Sequence, residues 1–329
     1  MSFFPRTRLR RNRKTPWIRE LTAQNRLTSS DLILPLFVIE GKNKEEKISS
    51  LPGVSRFSID GVIKKAKEAQ SLGIPALMLF PVIDQKLKNS QGKEALNPRN
   101  LICRAITEIK NAIPRIGVIT DVALDPYSSH GHDGVLNKKG EVENDATIEI
   151  LCEQALVQAQ AGCDAIAPSD MMDGRVGAIR DALDEQGFSD VSLISYAAKY
   201  ASNFYGPFRD AVGSASNLKK SDKKTYQMDF RNSDEALREI AMDVDEGADM
   251  IIIKPGMPYL DVVAYAATNF DLPIISYQVS GEYAMLKLAA KQGAFDFHAA
   301  MFESLIAFKR AGASAIISYG AIEAAKNLL

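Results

Sequence analysis

The chain has 329 residues, with 40 Lys and Arg against 41 Asp and Glu, three cysteines and one tryptophan. A net charge of −1 excludes the diffuse basic field of a nucleic-acid binder. With 46% hydrophobic and 25% charged residues, a chain dominated by disorder is excluded too.

A chain of this length buries enough apolar surface to fold without disulfide staples. No run approaches the roughly 18 apolar residues of a membrane span; Met250–Ile253 is typical and only strand-length. The Arg-rich start lacks the apolar core of a secretory signal. Cys103, Cys152 and Cys163 are odd in number and lack C-x-x-C spacing, so buried reduced thiols and a cytoplasmic protein are expected.

In chain order, residues 1–25 carry a basic run (Arg6, Arg8, Arg10, Arg11, Arg13, Lys14) interrupted by Pro16 and Trp17. This segment reads as an arm that grips a neighbouring subunit or as a solvated tail. Residues 26–329 then show eight short, nearly continuous apolar runs, as a parallel sheet covered on both faces requires. They are Leu32–Ile39, Ala76–Val82, Ile116–Val122, Ala165–Pro168, Leu193–Tyr196, Met250–Ile253, Ile274–Val279 and Ala315–Tyr319.

Helix-period stretches follow the runs: 61–72 with Asp60 as N-cap, then 101–112, 146–161, 176–186, 234–246, 260–267, 283–292 and 299–311. Gly73, Gly162, Gly247 and Gly312 supply C-terminal stops. The pattern predicts an α/β fold, a (β/α)8 TIM barrel with an extended N-terminal arm. A doubly wound sheet is the competitor, but neither G-x-G-x-x-G nor a P-loop occurs. Three long connections, about 83–100, 123–145 and 201–233, are expected at the mouth as walls or a lid.

Catalytic groups of such barrels project from the C-terminal strand ends. There the sequence offers Asp121, Ser169 with Asp170, Lys199, Lys254, Ser280 and Tyr319. A lone strand-end lysine is more often an ion-pair partner. Two at one mouth point to Schiff-base chemistry, because burial and a second ammonium both favour a neutral, nucleophilic amine. In the long connection after the fifth strand Arg209 and Lys223 are candidates for a substrate carboxylate, while Lys219, Lys220 and Lys224 read as solvated. Asp121, Asp125, His130, His132 and Asp133 have a permissive spacing for a hard metal ion.

Long motifs tie these positions together: TDVALDPYSSHGHDG (120–134), APSDMMDGR (167–175), SYAAKYASNFYGPFRDA (195–211), TYQ (225–227), ADMIIIKPGMPYLD (248–261) and QVSGEYAM (278–285). Through them the chain resembles the porphobilinogen synthase, or 5-aminolaevulinate dehydratase, family over nearly its whole length. The resemblance implies a hydro-lyase that condenses two 5-aminolaevulinate molecules into porphobilinogen for tetrapyrrole (haem) biosynthesis, commonly as a homo-octamer.

It implies Lys254 and Lys199 as catalytic imine-forming lysines. It also implies Asp121, Ser169, Tyr205, Arg209, Lys223, Gln227, Ser280 and Tyr319 as substrate contacts. Where zinc-dependent members carry three cysteines, this chain has Ala123, Asp125 and Asp133, so no catalytic zinc is expected. Glu239, fifteen residues before Lys254, is the position implied for an allosteric Mg²⁺. No organic cofactor is expected. The alternative is a class I aldolase-like barrel that uses one lysine on another keto-acid.

Overall fold

A computed structural model describes residues 5–213, 218 and 222–328; Lys219 and Lys220 lie outside the described residues. Among the described residues ten strands run in chain order: β1 (Leu32–Val38), β2 (Glu45–Lys47), β3 (Ser55–Phe57), β4 (Ala76–Pro81), β5 (Gly117–Val122), β6 (Ala165–Pro168), β7 (Ser192–Lys199), β8 (Met250–Lys254), β9 (Ile274–Gln278) and β10 (Ala315–Ser318). β1 and β4 to β10 pair in parallel, each with the next, and β10 returns to β1 through Leu32↔Ile316 and Ile33↔Ile317. The sheet is a closed eight-stranded barrel with helices between its strands.

The apolar runs predict these strands because both faces are covered: all seven residues of β1 are buried. Helices occupy the predicted stretches, from Ile59–Ser71 to Phe297–Ala311. The four glycine stops all have positive φ. At Gly312, with φ +104°, an added Cβ would come within 2.4 Å of the Ala267 Cβ, so the position requires glycine on two grounds.

Several local expectations change. Ser58, not Asp60, is the N-cap of the helix Ile59–Ser71. Asp60 sits inside the first turn, where its carboxylate accepts from the Asn43 N–H (3.0 Å) and the Ser58 hydroxyl (2.8 Å). β7 runs past Tyr196 to Lys199, with an irregularity between Ser195 and Ala198. β2 and β3 form an unpredicted hairpin against the end of β1; three-residue strands are too short to leave a periodic signature. Cys103 and Cys163 are buried free thiols, but Cys152 is only half-buried.

The N-terminal segment forms a 3-10 turn, Leu9–Arg13, and a short helix, Pro16–Thr22. Neither contains a buried residue, and Trp17 is 66% exposed.

Behind the β6 and β7 strand ends lies a buried charge cluster. Arg175 opens the helix Arg175–Glu185 and grips Asp243 with two bonds of 3.1 Å. It also donates to the Ser195 hydroxyl (3.0 Å) and the Tyr196 carbonyl (3.1 Å). A guanidinium that satisfies a carboxylate and a strand backbone together fixes the place where β7 departs from regular pairing.

Candidate active site

Lys199 and Lys254 are register partners across β7 and β8. Neighbouring parallel strands lie about 4.8 Å apart, and partners present their side chains to the same face. The two amines therefore enter one barrel mouth, and both side chains are buried.

The Lys254 ammonium has an aromatic surround. Its Nζ lies 4.7 Å from the ring centre of Tyr277, 5.0 Å from those of Tyr196 and Phe208, and 5.3 Å from that of Tyr205. Burial, then the neighbouring Lys199 charge, bring its pKa down to about 7, against the opposing pull of Asp121, Asp125 and Asp133. The amine is thus available as a nucleophile near neutrality.

Lys199 is held differently. It donates to the Ser169 carbonyl and lies 3.7 Å from Asp133. Asp133 also pairs with Lys223 at 2.9 Å, and Lys223 reaches Asp125 at 3.2 Å. Burial pushes the Asp133 carboxyl up, but Lys199 and Lys223 outweigh it and hold the group at about 2. Asp121 goes the other way: burial, only partly offset by Lys199, raises it to about 6, and its Oδ1 has no hydrogen-bond partner.

Asp121, Asp125, Asp133, Ser169, Lys199, Tyr205, Arg209, Lys223, Gln227 and Lys254 line one cavity together with Phe208. Its volume is only about 30 Å³, room for about one water. The segment that closes it is pinned at both ends. Arg56 of β3 donates to the carbonyls of Ala211 (2.6 Å) and Asp210 (2.7 Å). Tyr226 meets His132 Nδ1 at 3.1 Å and accepts from the Asp133 N–H at 3.3 Å.

Two predicted residues stand beyond that cavity. Ser280 begins the helix Ser280–Lys291, and its hydroxyl accepts the Phe208 N–H at 2.9 Å. Tyr319 shares a hydroxyl contact of 3.1 Å with Tyr277 and stacks on Phe37. Phe208 links the two regions, because its ring faces Lys254 while its backbone occupies Ser280.

The histidine-containing metal cluster does not assemble. His130 turns to the Ser90 carbonyl, His132 turns to Tyr226, and no group of three His, Cys, Asp or Glu suited to a metal occurs among the described residues. Glu239 lies elsewhere, half-buried on the helix Asp234–Asp245, beside a cavity of about 610 Å³. Lys224 is exposed, as a solvated residue should be.

Sequence reasoning missed Tyr196, Tyr277 and Phe208 as site walls, because aromatic residues within strands, or in the short lid helix Gly206–Ala211, read as ordinary packing. It also missed Lys88, a buried ammonium near Asp125 with no hydrogen-bond partner.

The family profile described as Delta-aminolevulinic acid dehydratase matches residues 6–327. The chain belongs to that family. A Delta-aminolevulinic acid dehydratase of Bradyrhizobium diazoefficiens is 57% identical over 321 residues, covering 98% of this chain and 90% of the relative. One of Rhodobacter capsulatus is 49% identical over 323 residues, covering 98% and 97%. Among solved structures, the Toxoplasma gondii ME49 delta-aminolevulinic acid dehydratase (porphobilinogen synthase), in complex with the reaction product porphobilinogen, superposes with a TM-score of 0.95. That structure is 50% identical, and the match covers 97% of this chain and 91% of that one. The dehydratase-family match thus spans every strand that contributes to the mouth.

The charge coupling makes a direct prediction. Trapping of a simple keto-acid by borohydride, followed over a pH series, should rise through a midpoint near 7, since only the neutral Lys254 amine attacks a ketone. Lys199→Gln removes the neighbouring ammonium and should move that midpoint upward. An unchanged midpoint would mean that burial alone sets the amine.

Proposed function

We propose that the chain is a porphobilinogen synthase, a hydro-lyase of tetrapyrrole biosynthesis that condenses two 5-aminolaevulinate molecules into porphobilinogen with loss of two waters. The observation that carries the residue-level reading is the register pairing of Lys199 with Lys254 at one buried mouth. A single-imine aldolase would leave the second lysine without a task.

In this reading the neutral Lys254 amine adds to the ketone of the P-side substrate, and expulsion of water leaves an imine. Lys199 forms the second imine, with the A-side substrate, and releases the second water. Holding both ketones as imines makes carbon–carbon and carbon–nitrogen bond formation intramolecular. The lysines are regenerated when elimination frees Lys254 and the P-side substrate's amine displaces Lys199. Asp121, at about 6, can take and return protons near neutrality.

Ser280 and Tyr319 receive the P-side carboxylate; Arg209 and Lys223 serve the A-side one, with Gln227 beside them on the lid; Ser169 and Tyr205 complete the walls. Substrate entry then requires the lid to withdraw Phe208 from Ser280, and Lys223 to exchange a carboxylate of Asp125 or Asp133 for that of the substrate. The narrow cavity supports such an opening.

No catalytic zinc is proposed. Ala123, Asp125 and Asp133 supply no thiolate, and Lys223 already neutralises the two aspartates. An allosteric Mg²⁺ is proposed at Glu239. Burial raises this carboxyl's pKa, Arg175 opposes the rise, and the nearby Asp243, Asp173 and Glu235 add to it. A hydrated divalent ion would relieve that carboxylate crowding, and Mg²⁺ commonly binds through one or two carboxylates while keeping several waters.

The arm of residues 1–25, with Leu9, Trp17 and Leu21 exposed, is proposed to clasp a neighbouring barrel of a homo-octamer, with residues 26–329 forming the catalytic unit. No helix among the described residues is long and apolar enough to cross a membrane. The free thiols support a cytoplasmic setting.

Borohydride reduction with 5-aminolaevulinate, followed by peptide mass mapping, should place an adduct on Lys254. An unlabelled Lys254 in turning-over protein would overturn the imine assignment. Glu239→Ala should abolish activation by Mg²⁺ while leaving trapping at Lys254 intact; unchanged activation would place the ion elsewhere.

A further inference from the structure

The loops after β8 and β9 converge on one buried carboxyl that the reaction scheme does not use. Glu282 is the third residue of the helix Ser280–Lys291 and has no exposed surface. Its Oε2 accepts the Val279 N–H at 2.5 Å, which caps its own helix. The same oxygen takes the Gly256 N–H at 3.4 Å, and Oε1 takes the Met257 N–H.

A helix cap needs only the first of these bonds. The other two reach back to the segment that immediately follows Lys254, whereas Val279 immediately precedes Ser280. Burial pushes the carboxyl up to about 8, and what opposes that rise is backbone N–H donation alone. Such burial is unfavourable unless the group is fully bonded, so these bonds are integral to the local structure. The Gly256 loop is confined on its other side as well: a Cβ there would meet Phe308 Cε1 at 2.5 Å and Ser276 Oγ at 2.7 Å.

We infer that Glu282 is a positioning residue that sets the separation between the Lys254 amine and the Ser280 hydroxyl, and thereby selects keto-acids by the distance from ketone to carboxylate. This rests on the proposed roles of Lys254 and Ser280. Glutamine offers one acceptor oxygen in place of two and sets an amide NH2 against the N–H that the other accepted, so Glu282→Gln must break either the Met257 bond or the Val279 and Gly256 bonds. Aspartate, shorter by one methylene, keeps both carboxyl oxygens but should not span both loops.

The test is borohydride trapping at Lys254 with 4-oxopentanoate, with 5-oxohexanoate, which is longer by one methylene, and with 2-pentanone, which lacks the carboxylate. The wild-type protein should trap 4-oxopentanoate fastest. Glu282→Gln should lose at least about tenfold of the preference between the two acids, since small displacements of reacting groups have effects of this size, while 2-pentanone trapping changes far less. Glu282→Asp, with its fold checked by circular dichroism, provides the same reading should the glutamine variant not fold. If the folded variants keep the wild-type preference, or lose all three rates equally, the inference is overturned. A wild-type protein that traps the acids no faster than 2-pentanone would instead overturn the underlying assignment of Ser280.

Discussion

Two amines on register-paired residues, buried at the end of a parallel sheet, cannot both keep a full charge without strong compensation. Lys199 and Lys254 meet that constraint unequally. Lys199 has Asp133 and the Ser169 carbonyl, whereas Lys254 has four aromatic rings. Ring faces attract a cation, but much less than a paired carboxylate in the same setting would. The asymmetry sets Lys254 apart as the amine whose pKa burial and its neighbour bring down towards neutrality.

The rest of the mouth is arranged around this division. Asp133, held ionised between Lys199 and Lys223, fixes charge on the Lys199 side. Asp121, raised by burial, stays able to exchange a proton. Lys223 arrives on the lid, so the aspartates of the mouth are neutralised from within by a residue that the proposed reaction redirects to substrate. Closure also depends on Arg56, from a hairpin outside the barrel proper, which grips the opposite end of the lid through two carbonyls. In the proposed scheme opening and charge compensation are one event, with substrate carboxylates replacing Asp125 and Asp133 at Lys223.

The barrel was legible because its physics is local. Runs such as Met250–Ile253 have to be buried on both faces, and helix stops such as Gly312 require a conformation that other residues avoid. The strand-end lysines were legible for the same reason, since a charge at the end of a buried run needs an explanation. What sequence could not supply was register. Nothing in SYAAK reveals that β7 reaches Lys199 only after an irregularity between Ser195 and Ala198, so the pairing with Lys254 had to come from coordinates. The hairpin β2–β3 and the three bonds of Glu282 were likewise hidden: the first is too short for periodicity, and the second spans 25 residues between Met257 and Glu282. The expectation that His130 and His132 could join a metal cluster failed because histidine spacing carries no information about which carbonyl or hydroxyl each ring meets.

The proposed chemistry depends on a Lys254 amine whose pKa is already brought down near 7 in the substrate-free protein. Trace acetylation over a pH series, quantified lysine by lysine by mass spectrometry, tests it most directly. The expected titration midpoint for Lys254 is near 7, far below the ordinary lysine range. A Lys254 that titrates with the exposed lysines would contradict it.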